Sequence, residues 1–225
     1  MSTLNSPLVT RVLDELYASA EREDKPLRER TAHLSPEERK KLFEVQQADY
    51  RTTYERMGGA YIPIDREFGA LIYLLARARG ASTIVEFGTS FALSTIQLAA
   101  ALRDNGGGRL ITTEFVASKA EAARRNLEAA GLADLVEIRR GDALETLKSG
   151  VGQPIDLVLL DGAKNLYVPV LKLLEPALAP RALIVTDNTT DESPYVHYVR
   201  AAGSGYVSLG LPYESGNELS LWVGR

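Results

Sequence analysis

The chain has no cysteine, which removes disulfides, thiolate metal sites and a cysteine nucleophile in one step. Its two histidines, His33 and His197, fall at no predicted strand end, so both read as surface or packing residues. No apolar run approaches the roughly 20 residues of a membrane span, and the opening Met1 to Pro7 has neither the charged start nor the apolar stretch of a leader. Basic residues do not dominate either: the net charge is −4 with no Lys/Arg-dense stripe, which argues against a nucleic-acid footprint. Neither a nucleic acid nor a membrane is therefore expected as a partner, and the expected location is cytoplasmic. The sequence also lacks a complete G-x-G-x-x-G and any G-x-x-x-x-G-K, the loops that hold dinucleotides and nucleoside triphosphates.

What is present is an alternation. At 225 residues the chain suits one full-sized domain, read as 61–225, behind a helical N-terminal extension, 1–60. Leu8, Val9, Val12, Leu13, Leu16 and Tyr17 repeat at helical spacing, so the extension opens on an amphipathic helix. The charged stretch Glu21 to Thr31 reads as a loop. Ser35-Pro36-Glu37-Glu38 carries a cap, a first-turn proline and a capping-box glutamate, which predicts a helix to about Tyr54. A third helix runs from Arg66 to Arg79 and stops at Gly80. From Thr83 onward, five short β-branched runs alternate with helical segments, and two further strands, Tyr206 to Leu209 and Glu218 to Val223, follow with no helix between. That order predicts an α/β, Rossmann-like, seven-stranded and mostly parallel sheet with helices on both faces and a C-terminal antiparallel hairpin.

Chemistry is expected where parallel strands end, because open α/β sheets bind ligands at the carboxyl ends of their strands. Two apolar runs empty into polar residues there: Leu157 to Asp161, with Lys164 three residues on, and Leu183 to Asp187-Asn188. Two carboxylates and an amide are hard oxygen donors that suit a divalent cation. After the first strand comes Glu86-Phe87-Gly88-Thr89-Ser90, a turn that allows close approach of a ligand. Glu114 follows the second strand, where an acid accepts ribose hydroxyls, and Gly141-Asp142-Ala143 ends the third. Singly each acid reads equally well as a helix cap; together they describe an adenosine pocket without a pyrophosphate site.

These residues resemble the class I S-adenosylmethionine-dependent O-methyltransferases of the catechol and caffeoyl-coenzyme A type, over about Ile62 to Val223. The similarity is carried by Val85 to Ser90 with Ser94-Thr95, Leu160 to Lys164 with Tyr167, Thr186 to Asn188, and Gly216 to Trp222. The resemblance implies that Glu86, Gly88, Ser90 and Ser94 hold the methionine and ribose part of S-adenosylmethionine, and that Glu114 binds ribose. Asp142 and Ala143 would lie at the adenine, with Asp161 also facing the cofactor. Asp161, Asp187 and Asn188 would hold a divalent cation, magnesium first among candidates, and Lys164 would be the catalytic base. Glu218, by a weaker alignment, would meet a substrate hydroxyl. The N-terminal 60 residues match nothing specific in that family and read as a substrate lid, with Tyr61 and Met57 near the Gly58-Gly59 hinge as candidate substrate contacts. The resemblance further implies a homodimer and a small hydroxylated aromatic substrate.

One departure stands out: Phe91-Ala92-Leu93 occupies the place of a second glycine, which would set the loop slightly farther from the cofactor. The implied reaction is methyl transfer to one of two vicinal oxygens. An ammonium beside a metal ion is disfavoured, which would ready Lys164 to take a proton. Two alternatives stay open on the sequence: a metal-independent methyltransferase of the same fold, and a non-catalytic module that binds S-adenosylmethionine.

Overall fold

In a computed structural model of the chain, which describes residues 2–152, 154–213 and 216–224, the β-branched runs form seven strands. They are β1 (Thr83–Phe87), β2 (Arg109–Glu114), β3 (Val136–Arg140), β4 (Ile155–Leu160), β5 (Leu178–Asp187), β6 (Tyr206–Leu211) and β7 (Asn217–Trp222). The sheet order is β3-β2-β1-β4-β5-β7-β6. The first five strands pair in parallel, while β7 runs antiparallel between β5 and β6. The central strands β1 and β4 are buried along their whole length, as expected of mainly apolar strands covered on both faces.

Five helices precede the sheet: α1 (Pro7–Glu23), α2 (Lys25–Ala32), α3 (Pro36–Ala48), α4 (Tyr50–Arg56) and α5 (Arg66–Arg79). Five more lie between or after the parallel strands: α6 (Leu93–Asp104), α7 (Ala117–Ala129), α8 (Ala143–Thr146), α9 (Tyr167–Leu174) and α10 (Pro194–Arg200). Two apolar clusters cover the two faces of the sheet. One contains the buried residues of α1, α5 and α6; the other contains those of α9 and α10. Among the described residues no helix is long and apolar enough to cross a membrane.

The N-terminal segment divides in two. Val9, Val12, Leu13 and Leu16 bury α1 in the same cluster as Ile96 and Leu102 of α6, so α1 belongs to the main core. The charged stretch expected as a loop is helical, completing α1 and forming α2. It gave no periodic signal because α2 buries none of its side chains. Between those helices sits Asp24, 4% exposed, whose carboxylate accepts the Tyr61 and Ile62 backbone N–H groups at 2.7 and 2.8 Å. That carboxylate pins the segment leading into α5. The helix expected from Ser35 to Tyr54 starts with its capping box intact but breaks at Asp49, whose side chain caps a separate α4.

Candidate active site

Strand register sets the site. Leu160 of β4 lies opposite Thr186 of β5, so Asp161 and Asp187, each one residue further on, emerge side by side. The two carboxyl groups come within hydrogen-bonding reach of each other. Asn188 adopts a left-handed backbone (φ 55°) that turns the chain back across the strand end, and its amide N–H donates to Asp187 Oδ2. The amide oxygen accepts no hydrogen bond among the described residues. Asn217, opposite Asp187 on β7, donates from Nδ2 to Asp187 Oδ1 at 2.8 Å. This second-strand support was not read from the sequence; its signal was a polar side chain on the strand that pairs with Asp187.

Burial, and next the charge of Asp187, push the Asp161 carboxyl well above the ordinary aspartate range, with Lys164 partly offsetting them. Lys164 Nζ lies 3.5 Å from Asp161 Oδ1 and donates to the Tyr167 hydroxyl at 2.7 Å, which in turn donates to the Asp187 carbonyl at 2.9 Å. Tyr167 is fully buried, so its ring fixes where the ammonium points. The lysine thus both pairs with Asp161 and faces the cavity. Among the described residues no group of three or more His, Cys, Asp and Glu side chains gathers for a metal; the candidate donors are two carboxylates and one amide. A half-buried acid pair with one nearby cation, joined by a neutral oxygen donor, fits a hard divalent ion, which would relieve the repulsion between the acids.

Asp161, Lys164 and Asn188 line a cavity of about 280 Å³, while Asp187 is not part of its lining. One wall is the turn after β1. Gly88 has φ 105°, and a Cβ there would stand 2.4 Å from the Asp161 carbonyl oxygen, so only glycine lets β1 and β4 close at the site. Ser90 and Ala92 hold left-handed conformations (φ 46° and 72°). The turn therefore keeps a glycine-like path although Ala92 fills the position where the family resemblance implies glycine. Ser90 N–H donates to Glu114 Oε2 and Val116 N–H to Glu114 Oε1, both at 2.8 Å. Burial nevertheless raises the Glu114 carboxyl above its usual range, outweighing these bonds and the charge of Lys119.

Glu86 is placed otherwise than the resemblance implies. It is fully buried and absent from the cavity lining, and it accepts the hydroxyls of Ser94, Thr95 and Thr112, each at 2.6 Å. Alternation along β1 turns it toward α6 and β2, where it ties the turn to the sheet from behind. Ser94 lines the cavity, but its hydroxyl is committed to Glu86.

Ala143 and Asp142, where the resemblance implies adenine, line the cavity. Asp142 caps α8 through Leu144 N–H and accepts the Tyr50 hydroxyl and Arg51 guanidinium, both at 2.7 Å. Burial opposes its ionisation, yet those partners hold the carboxyl below the usual range. The residues of α3 and α4 thereby form a lid: Phe43, Gln47, Tyr54 and Met57 line the cavity, and Gln47 is clasped to Asn165 by two hydrogen bonds of 3.0 and 2.8 Å. Tyr61 lines it too, stacked on Phe91 at 3.8 Å.

Glu218 is a correction. It lies on β7 outside this cavity, 1% exposed, held by Arg200 through two bonds of 2.7 Å and by the Ser208 hydroxyl. The period of two along β7 puts Asn217, not Glu218, beside Asp187. Glu218 therefore has no free oxygen for a substrate hydroxyl at the acid pair.

A glycine turn after β1, an acid after β2 and an acid pair with an amide at adjacent strand ends thus lie along one edge of a sheet with a Rossmann-like strand order. Residues 85–189, a little under half of the chain, match the family described as a methyltransferase domain, and further similarity is to proteins named as O-methyltransferases. It is 39% identical over 127 residues to a catechol O-methyltransferase of Mycobacterium tuberculosis, covering 56% of this chain and 57% of that protein. It is 37% identical over 131 residues to a catechol O-methyltransferase of Niastella koreensis, covering 56% and 58%. The chain thus spans a little under three fifths of these curated relatives. Among solved structures, the O-methyltransferase TomG of Streptomyces achromogenes, in complex with SAM, superposes with a TM-score of 0.67 at 28% identity, over 80% of this chain and 90% of that one.

Proposed function

We propose that the chain transfers the methyl group of S-adenosylmethionine to one hydroxyl of a small aromatic substrate with vicinal hydroxyls, using a divalent cation held by Asp161, Asp187 and Asn188. The observation that carries this reading is that Asp161, Lys164 and Asn188 share the lining of one cavity with Glu114 and Asp142, with Asp187 beside Asp161. S-adenosylmethionine brings a methyl group already bound to a sulfonium, so the reaction needs only an oxygen nucleophile aligned with it. A divalent ion at the acid pair would bind both substrate oxygens and stabilise the phenolate.

The chain's own residues do the rest. Glu114 receives the ribose hydroxyls on the face its backbone partners leave open, and Asp142 with Ala143 borders the adenine. Lys164, once its ammonium has released a proton to solvent, accepts the phenolic proton as the oxygen–carbon bond forms and the sulfur–carbon bond breaks, leaving a methyl ether and a thioether. Tyr167 holds the amine in that position. Phe43, Tyr54 and Met57 cover the reacting atoms and exclude water. Tyr167→Phe removes the hydroxyl that positions Lys164 while keeping the ring, and is expected to lower kcat about ten-fold with little change in KM, as measured by initial rates.

The reading is tested by supplying S-adenosylmethionine, magnesium and a panel of aromatics that carry vicinal, separated or single hydroxyls. Methyl ethers are expected only from the vicinal compounds. Equal methylation of single phenols would favour the metal-independent alternative, and methylation of none, despite tight cofactor binding, would favour a non-catalytic module.

A further inference from the structure

The cavity contains a cation that the reaction does not use. Lys119, in the first turn of α7, is 3% exposed and lines the cavity beside Ser90. Its ammonium has three donors but makes a single long hydrogen bond, 3.4 Å to Ser90 Oγ, and lies 5.6 Å from the centre of the Phe91 ring. The remaining N–H groups have no hydrogen-bond partner among the described residues. Burial lowers its proton affinity even though Glu114, Asp24 and Asp161 all attract it. A buried ammonium left with unmet donors is costly unless a ligand completes it.

We propose that Lys119 is a further cofactor-binding residue, its ammonium pairing with the carboxylate at the amino-acid end of S-adenosylmethionine. This rests on the cofactor assignment above. The carboxylate is the one anionic group the cofactor carries, and a charge-assisted hydrogen bond is the strongest partner an ammonium finds. Ser94, implied for this end of the cofactor, has its hydroxyl committed to Glu86, and Ser90 gives its proton to the Tyr61 carbonyl at 2.8 Å. Lys119 is the neighbouring donor with capacity to spare.

Calorimetric titration with two probes separates the outcomes: S-adenosylhomocysteine, and 5′-methylthioadenosine, which keeps adenine, ribose and sulfur but lacks the amino-acid end. Lys119→Met is expected to weaken S-adenosylhomocysteine by about ten-fold or more while leaving 5′-methylthioadenosine within about two-fold of wild type. Lys119→Arg should recover part of the loss. Equal weakening of both probes would place the effect on the nucleoside half or on the fold and overturn the proposal, as would no change in either. If the wild-type chain binds 5′-methylthioadenosine but gains nothing from the amino-acid end, this proposal fails alone; if it binds neither probe, the cofactor assignment fails with it.

Discussion

Asp161→Ala is expected to reduce methyl transfer to a catechol by on the order of 10³-fold, because it removes the innermost donor of the acid pair. Shifting a phenol from a pKa near ~10 to ~7 corresponds to roughly 4 kcal/mol, about three decades in rate, and this help is lost with the ion. The loss should not come from unfolding. Asp161 is raised by burial and by its like-charged neighbour, so in the metal-free chain its charge opposes folding. The folded form keeps the proton longer than the unfolded form, whose aspartate titrates near 3.8. This contribution to stability is therefore present below that pH and is lost as pH rises through the elevated folded value. With a chelator present, Asp161→Asn should unfold at the same or a higher temperature than wild type near neutral pH, and should lose less stability as pH rises. A variant that is inactive because it is unfolded, or fully active with its fold intact, would contradict the assignment.

Lys164→Ala is expected to cost 10²- to 10³-fold in kcat near neutral pH, the usual size of a positioned general base. Part of the loss should return as pH rises, because hydroxide and an already ionised phenol then replace the amine. Lys164→Arg keeps a cation beside Asp161 but has no accessible neutral form, so it should remain as slow as the alanine variant. Recovery by arginine would mean that Lys164 acts as a charge and not as a base. Wild-type turnover in Lys164→Ala across the pH range would remove the role altogether.

The fold and half of the site were legible because both are local patterns. Apolar runs ending in Asp161 and Asp187 marked strand ends, and the alternation of strands with helices placed those ends on one edge of the sheet. Gly88, Glu114, Asp142 and Ala143 follow from the same rule. Features that depend on pairing across the chain were not legible. Asn217 supports Asp187 only because β7 pairs with β5 in that register, whereas the family resemblance pointed to its neighbour Glu218. Glu86 has the sequence position of a cofactor ligand, but its side-chain direction depends on strand alternation and on three hydroxyls from α6 and β2. The helices at 21–32 stayed hidden because their faces are solvated, and Asp24 acts through backbone groups 37 and 38 residues away. Lys119 was not singled out in the sequence, because only the fold encloses it.

The central claim is that Asp161, Asp187 and Asn188 together hold one divalent ion beside the bound cofactor. Titration with manganese, followed by the loss of its free-ion paramagnetic resonance signal in the presence of S-adenosylhomocysteine, measures this directly. The account predicts one site per chain in the wild type, competed by magnesium and abolished in both Asp161→Ala and Asp187→Ala. Manganese binding that survives both substitutions, or no site in the wild type, would contradict it.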